Sequence, residues 1–312
     1  MLAPTLRPMV EGDRAEVAEM IYASINAWYV LHGRPAIFEG GPSVTDVFYE
    51  VYNDLTPGCN VVAVNPENGR LMGSCFYHPR ETHVSLGIMT VHPNYFGSGV
   101  GGALLRHIID YSDSHSFKSL RLTQSAINVD SFSLYNKAGF VPRHSYQDMY
   151  LPVPADGLRF QTPGLDRVRD ATLDDIPGMA AVERDVSGIS RELDYRYCLE
   201  NRRGYWHASV IESPGSSGKL DGFMISSGHK AVNMIGPGVA RDEAAAAALL
   251  LHELDRHRGR APVFLIPMDQ TQLVRQLYAW GARNCEMHFC QVRGEFTPFR
   301  GVNMPSFLPE TA

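Results

Sequence analysis

Cysteine is scarce in this chain. The five residues (Cys59, Cys75, Cys198, Cys285 and Cys290) are scattered, odd in number and without a CxxC pair. That excludes a disulfide framework and points to a reducing cytoplasm as the expected compartment. Long apolar runs are missing too. No stretch approaches the ~18 consecutive apolar residues of a membrane span, and the opening MLAPTLRPMVEGDR has no apolar core for a signal peptide. Excess basic charge is absent: 28 Lys and Arg against 34 Asp and Glu give a net charge of -6. A nucleic-acid partner, which needs a basic surface, is therefore not expected, nor is a membrane partner. His78, His83 and His92 stand without ligand-spaced neighbours, so no metal is expected. With 44% hydrophobic and 20% charged residues over 312 positions, the composition is that of a globular protein long enough for two domains.

The chain reads as two halves. The stretch 151–164, LPVPADGLRFQTPG, carries three prolines and two glycines and is read as a linker. Each half opens alike, LRPMVEGDRAEVAEMI in the first and VRDATLDDIPGMAAVE in the second: a short strand, an acidic turn and an amphipathic helix. Asp13 is the expected cap of the first helix and Asp174 or Asp175 of the second. The repeated opening suggests a duplicated domain.

The first half continues with a helical stretch near 43–54 and strands at 59–65 and 71–79. These are joined by PENGR, whose Asn68-Gly69 is a hairpin signal. A strand at 83–91, a helix at 100–113, a strand at 118–125, a helix at 130–137 and a closing strand near 145–151 follow. The second half shows a hairpin (206–213 and 220–228), a strand (231–240), a helix (242–257), a strand (263–269) and a helix (272–282). The tail 294–312 shows no clear element. The fold class expected is α/β (α+β), each half a mixed, mostly antiparallel twisted sheet flanked by helices.

The chemistry concentrates in VHPNYFGSGVGGALL, residues 91–105. Gly97, Gly99, Gly101 and Gly102 lack a Cβ, so backbone N–H groups can converge on one point. The helix beginning near Val100 adds its free N–H groups and the positive end of its dipole. Together they suit a phosphate or pyrophosphate. The loop is not a Walker A motif, since no Gly-Lys-Ser/Thr follows, and the GxGxxG register of a dinucleotide fold is missing.

Downstream lies LTQSAINVDSFSLYNKAGF. The two stretches resemble the signature motifs of the GNAT N-acyltransferase superfamily, with Asn128, Ser131, Leu134, Tyr135, Lys137, Gly139 and Phe140 in register. The resemblance covers about residues 5–150. It implies a catalytic, acetyl-CoA-binding domain over 1–150 in which the backbone of Met89, Thr90 and Val91 holds the pantetheine arm. It further implies that the loop Phe96, Gly97, Ser98, Gly99, Val100, Gly101 and Gly102 holds the pyrophosphate, that Asn128 and Ser131 meet the cofactor arm, and that Tyr135 faces the thioester sulfur. Phe96 departs from the motif, where Arg or Gln is usual, and implies a different packing of the loop.

Amide formation from a thioester asks for a donor at the carbonyl oxygen, an acid for the leaving thiolate and a neutral amine. A strand N–H supplies the first and Tyr135 the second. Glu81, His83 and His92 lie near the relevant strand. His83 is the candidate base, with a water relay as the alternative. Trp28, Tyr29, Phe38, Phe48 and Tyr52 either shape an acceptor pocket or form helix core.

In the second half the corresponding loop reads IGPGVARDEAAAAALL. The glycine nest is gone, and Asp242 and Glu243 compete with any phosphate for the same N–H groups. QLYAWGARN resembles the second motif with one residue fewer between Tyr and Gly. Residues 165–293 are accordingly expected to form a degenerate GNAT-like domain that walls the acceptor cleft or mediates a homodimer. Asp194, Tyr195, Tyr197, Trp206 and His207 are either acceptor contacts or core. The expected activity is acetyl-CoA-dependent transfer to a small-molecule amine by direct attack in a ternary complex. A non-catalytic CoA-sensing or scaffold protein, or an acyltransferase using a longer acyl-CoA or a carrier-protein thioester, fits the same motifs.

Overall fold

The computed structural model describes residues 3–215 and 218–310. By contact the chain forms two compact units. The first holds residues 3–79, 83–120 and 307–310, the second 80–82 and 121–306.

The first unit is built on four antiparallel strands in the order β1 (Thr5–Arg7), β2 (Asn60–Val64), β3 (Leu71–Pro79) and β4 (Val84–Val91). Its helices are α1 (Arg14–Leu31), α2 (Asp46–Leu55) and α3 (Val100–Ser114). Side chains alternate across β3, so its two faces take different helices. Phe76 and His78 meet Tyr49 and Tyr52 of α2, with ring centroids 5.0 Å apart for Tyr52–Phe76 and 4.6 Å for Tyr52–His78. On the other face Tyr77 meets Tyr111 of α3, and Gly73 lets Val100 approach to where a Cβ would stand only 2.8 Å away. Asn68-Gly69 lies in the turn between β2 and β3, Gly69 at φ +75°.

In the second unit, β5 (Ser119–Ser125), which starts in the first unit, leads to α4 (Val129–Lys137) and β6 (Val141–Tyr150). There follow β7 (Val168–Asp170), α5 (Ile176–Ser187), α6 (Glu192–Glu200), β8 (Trp206–Glu212), β9 (Leu220–His229), β10 (Val232–Ala240) and α7 (Glu243–Asp255). The chain ends with β11 (Val263–Pro267), α8 (Thr271–Ala279), β12 (Arg283–Gly294) and β13 (Val302–Met304). The strand order is β5-β12-β6-β11-β10-β9-β8-β7, with β13 pairing β10. Only the β10–β11 pairing is parallel among the registers described here. The core is the alanine- and leucine-rich α7, nearly all of it buried against the sheet with Phe264, Ile266 and Met304.

The last strands are exchanged. β12, from the second half, lies between β5 and β6, while β6, from the first half, lies between β12 and β11. This moves the contact boundary to Leu120/Arg121, whereas the halves marked by composition meet at 151–164. The proline-rich stretch is itself packed: Leu151 and Val153 are buried, and Phe160 stacks on Trp280 at 5.5 Å.

The duplication is visible in side chains. Asp13 receives a fork from Arg7 (2.6 and 2.8 Å) and the Val10 N–H (2.8 Å). Asp175 receives the same fork from Arg169 (2.9 and 2.8 Å) and the Thr172 N–H (2.8 Å). Asp13 and Asp175 stand at the N-cap positions the sequence suggested, but their carboxylates close the preceding turn and do not bond to the helix itself. Two further expectations are corrected. The tail contains β13, and residues 283–294, unassigned from sequence, form the long β12.

Candidate active site

β4 departs from regular pairing at one place. Cys75 pairs with Met89 and Tyr77 with Leu86, so Gly87 and Ile88 together oppose Phe76 and form a bulge. A Cβ on Gly87 would lie 2.9 Å from Phe76 O and 3.0 Å from His78 Nε2, so the close approach requires glycine. Beyond the bulge, His92 N–H bonds Met72 O at 2.9 Å. Antiparallel alternation then turns the backbone of Thr90 toward β3 and that of Met89 and Val91 toward the opposite edge. The Thr90 side chain is tied to Ser74 (Oγ1–Oγ 3.0 Å).

The strand runs into the glycine loop. Pro93–Tyr95 form one 3₁₀ turn, capped by His92 Nδ1 accepting the Asn94 N–H, and Tyr95 Oη bonds Asn65 Nδ2 at 3.2 Å. Gly97 has φ +72°, and Gly99, the N-cap of α3, has φ +91°. Neither has an atom within 4 Å of where a Cβ would be, so the left-handed backbone is the reason for glycine there. Ser98 Oγ bonds Tyr95 O at 2.5 Å. Phe96 is 43% exposed and anchored through its N–H to Pro93 O. Val100, Gly101 and Gly102 make the first turn of α3. His83 is fully buried just ahead of β4.

In the second unit Asn128 caps α4: its Oδ1 accepts the Ser131 N–H at 3.0 Å. Tyr135 lies about two turns later, buried, its ring 5.8 Å from Phe140. Helix α4 rests on one face of β12, through Phe132–Phe289 (5.7 Å) and Gln291 Nε2 to Asn136 Oδ1 (2.8 Å). The opposite face of β12 is polar. Ser125 Oγ donates to Glu286, and His288 Nδ1 lies 2.9 Å from Asp148 Oδ1, both groups nearly out of solvent. Burial raises the Asp148 carboxyl above its ordinary range, while His288 pulls it back down. Sequence reading passed over these residues. Their signal was a polar group at every second position: Glu286 and His288 in NCEMHFCQV, Tyr146 and Asp148 in SYQDMY.

The second-half counterparts differ. β10 carries its own bulge, at Gly236–Pro237, since Ile235 pairs with Ser226 and Gly238 with Met224. It pairs with β11 only at Met234 and Ile235. Beyond the bulge Gly238, Val239 and Ala240 pair with Met304, Asn303 and Val302 of β13. Asp242 Oδ1 accepts the Ala245 N–H (2.8 Å) and Glu243 Oε2 the Leu273 N–H (2.6 Å), so carboxylates occupy two helix starts. Asp194 is an ion-pair partner of Arg80 (2.8 Å), and Tyr195 donates to the buried Glu183. Both belong to the core. Among the described residues no group of three or more His, Cys, Asp and Glu is arranged to hold a metal, and no helix is long and apolar enough to cross a membrane.

A bulged strand followed by a left-handed glycine turn at a helix start is a backbone arrangement that suits an extended, anion-tipped ligand. Residues 25–140 match the acetyltransferase (GNAT) family. Fold comparison covers nearly the whole chain. A Pyrococcus horikoshii protein described as a candidate acetyltransferase superposes with a TM-score of 0.72 at 16% identity, over 96% of this chain and 92% of that one. A GCN5-related N-acetyltransferase from Sphaerobacter thermophilus gives 0.63 at 17%, over 95% and 96%. A tandem GNAT protein of the clavulanic acid pathway gives 0.60 at 14%, over 93% and 98%. Among curated proteins, the UPF0157 protein YqkA of Bacillus subtilis is 27% identical over 131 residues, 42% of this chain. The match spans only 36% of that relative's length. Residues 25–140 are thus similar to the GNAT family, and the chain as a whole has the fold of these two-domain GNAT structures.

Proposed function

We propose that the protein is an acetyl-CoA-dependent N-acetyltransferase acting on the primary amine of a small molecule, with its cofactor site in the first half. The observation that carries this reading is the bulge at Gly87–Ile88, followed by the backbone of Met89 and Val91 turned away from β3 and then the left-handed turn at Gly97 and Gly99. In this reading Met89–Val91 hold the pantetheine arm, and the amides of 97–102 hold the pyrophosphate. Asn128 and Ser131 border the arm, and Tyr135 gives its phenolic proton to the leaving sulfur. The amine attacks the thioester directly, both substrates being bound together.

The second half binds no acyl-CoA in this reading. Gly238–Ala240, which follow their bulge as Met89–Val91 follow theirs, already have β13 as a partner. Asp242 accepts the Ala245 N–H at the start of α7, one of the groups a phosphate would need, while Glu243 turns instead to Leu273 of α8. Calorimetric titration with acetyl-CoA tests the reading. One site per chain with micromolar affinity is expected, and two sites would overturn the assignment of the second half. No binding at millimolar ligand would overturn the enzyme reading altogether. Binding without thiol release on any amine would favour a CoA-sensing protein.

A further inference from the structure

The second unit contains a cleft of about 490 Å³ lined by Arg184, Asp185, Val186, Arg241, Thr297 and Arg300. Three separate segments meet there. Arg184, Asp185 and Val186 lie in the last turn of α5, Arg241 follows β10, and Thr297 and Arg300 belong to the stretch between β12 and β13. That stretch, EFTPFR, has no helix or strand of its own, yet its placement is fixed at several points. The Arg300 N–H bonds Val186 O at 2.8 Å. Phe299 packs on His144 (5.0 Å) and on Phe296 (5.4 Å). A Cβ on Gly188, the C-cap of α5, would stand 2.8 Å from Thr297 Oγ1, and one on Gly301 would stand 2.9 Å from Arg241 O. Packed backbone, and not the reach of long side chains alone, brings the three arginines to one cleft.

The charges in the cleft do not balance. Asp185 is the one carboxylate among the lining residues, and it takes Arg241 Nη2 at 2.8 Å. Arg184 Nη1 turns to Ser190 Oγ (3.3 Å) and Glu192 Oε1 (3.4 Å), with Glu81 Oε2 at 4.0 Å. Neither of these two acids lines the cleft. Arg300 is exposed, and among the described residues its guanidinium has no carboxylate partner. The C-terminal end of α5 adds about half a negative charge. With Asp185 it offsets about half of the three positive charges in the lining, and a surplus of roughly +1.5 is left.

A surplus of this size at a concave surface favours a dianion. A phosphate monoester carries about −1.5 to −2 charges near neutral pH, and its three free oxygens can each take a guanidinium. A carboxylate brings one charge and one plane, which a single fork fills. Ordinary small-molecule sites measure about 300–1,000 Å³, so the cleft has room for an organic group beyond the phosphate.

We propose that this cleft binds a phosphate dianion, free or as the monoester of a small molecule, with Arg300 as its principal ligand and Arg184 and Arg241 beside it. The site lies wholly within the second unit and is independent of the acyltransferase reading.

The test is calorimetric titration of the full chain with inorganic phosphate, glucose 6-phosphate and acetate at low ionic strength. The variants are Arg300→Gln, Arg241→Gln, Gly99→Ala and, as a surface control in the same unit, Arg159→Gln, whose side chain is 88% exposed. Arg300→Gln should weaken phosphate binding about tenfold or more, the loss of one charge-assisted fork. Arg241→Gln should weaken it in the same direction, while Arg159→Gln and Gly99→Ala leave it within about twofold. Tighter binding of glucose 6-phosphate than of phosphate makes the ester the ligand, and equal binding makes it phosphate itself. Both results support the site. Arg300→Gln should keep the wild-type thermal midpoint, and if it does not, Arg241→Gln carries the same prediction. Affinity that survives in Arg300→Gln, or is lost in Gly99→Ala instead, places the anion on the glycine loop and overturns the proposal. Acetate bound as tightly as phosphate overturns it, as does the absence of binding by either phosphate compound at millimolar ligand.

Discussion

His257 offers a quantitative test of the packing around α7. The residue is fully buried at the end of that helix, its Nδ1 2.9 Å from Asn233 Oδ1. Nε2 is buried without a hydrogen-bond partner. Burial, and the positive charge of nearby Arg260, lower its pKa from 6.5 to about 4. The ring is therefore neutral in the folded protein at pH 7, and protonating it places a cation in a dry site. The sign follows from linkage: a histidine with a depressed folded pKa stabilises the fold fully above its unfolded pKa, and that stability is lost as pH falls. At 1.36 kcal/mol per pKa unit, the loss relative to neutral pH is about 2 kcal/mol by pH 5 and about 3 kcal/mol by pH 4. Urea unfolding of the wild type and His257→Gln across this range reads it directly. The stability difference between the two proteins should shrink, or reverse, by that amount on acidification, because Gln cannot titrate. Parallel pH dependences would refute the reasoning and mean that the ring is charged, or solvated, in the native state.

Two further outcomes follow from local geometry. Gly99→Ala forces an L side chain into φ +91° where no contact interferes. The cost is about 1–2 kcal/mol, divided between stability and cofactor binding, a factor of roughly 5–30 if it falls on one of them. Gly12→Ala, equally open but without a positive φ, is the control, and equal thermal midpoints and acetyl-CoA affinities in both variants would count against the role of the loop backbone. Asp194→Asn removes the carboxylate facing the Arg80 guanidinium, each side chain only 1% exposed. It should destabilise the protein by about 3–5 kcal/mol in urea unfolding, and a change below 1 kcal/mol would show that the pair is dispensable.

What the sequence made legible were features set by neighbours along the chain. The hairpin turn at Asn68-Gly69 and the glycine turn ahead of the helix at Val100 depend on a few consecutive residues. The duplicated openings were readable for the same reason: Asp13 and Asp175 stand at the N-caps, although their carboxylates bind Arg7 and Arg169 and not the helix N–H groups. Pairing between distant segments was not legible. Nothing in SYQDMYL or NCEMHFCQV says that these strands trade places between halves. VNM, set among prolines and phenylalanines, shows no alternation that would mark it as a strand. It becomes one because Gly238–Ala240 have turned away from β11 beyond their bulge. The His288–Asp148 couple escaped notice because the two residues are 140 positions apart.

In the proposed reaction Tyr135 protonates the sulfur that leaves acetyl-CoA as an amine is acylated. This step is tested most directly by following thiol release from acetyl-CoA against a panel of small amines, with the wild type and Tyr135→Phe side by side. Expected is amine-dependent release by the wild type and, for Tyr135→Phe, a kcat about 10²–10⁴-fold lower with acetyl-CoA still bound. Equal release by both proteins would contradict the acid role of Tyr135. Acetyl-CoA binding with no amine-dependent release from either would contradict the catalytic reading itself.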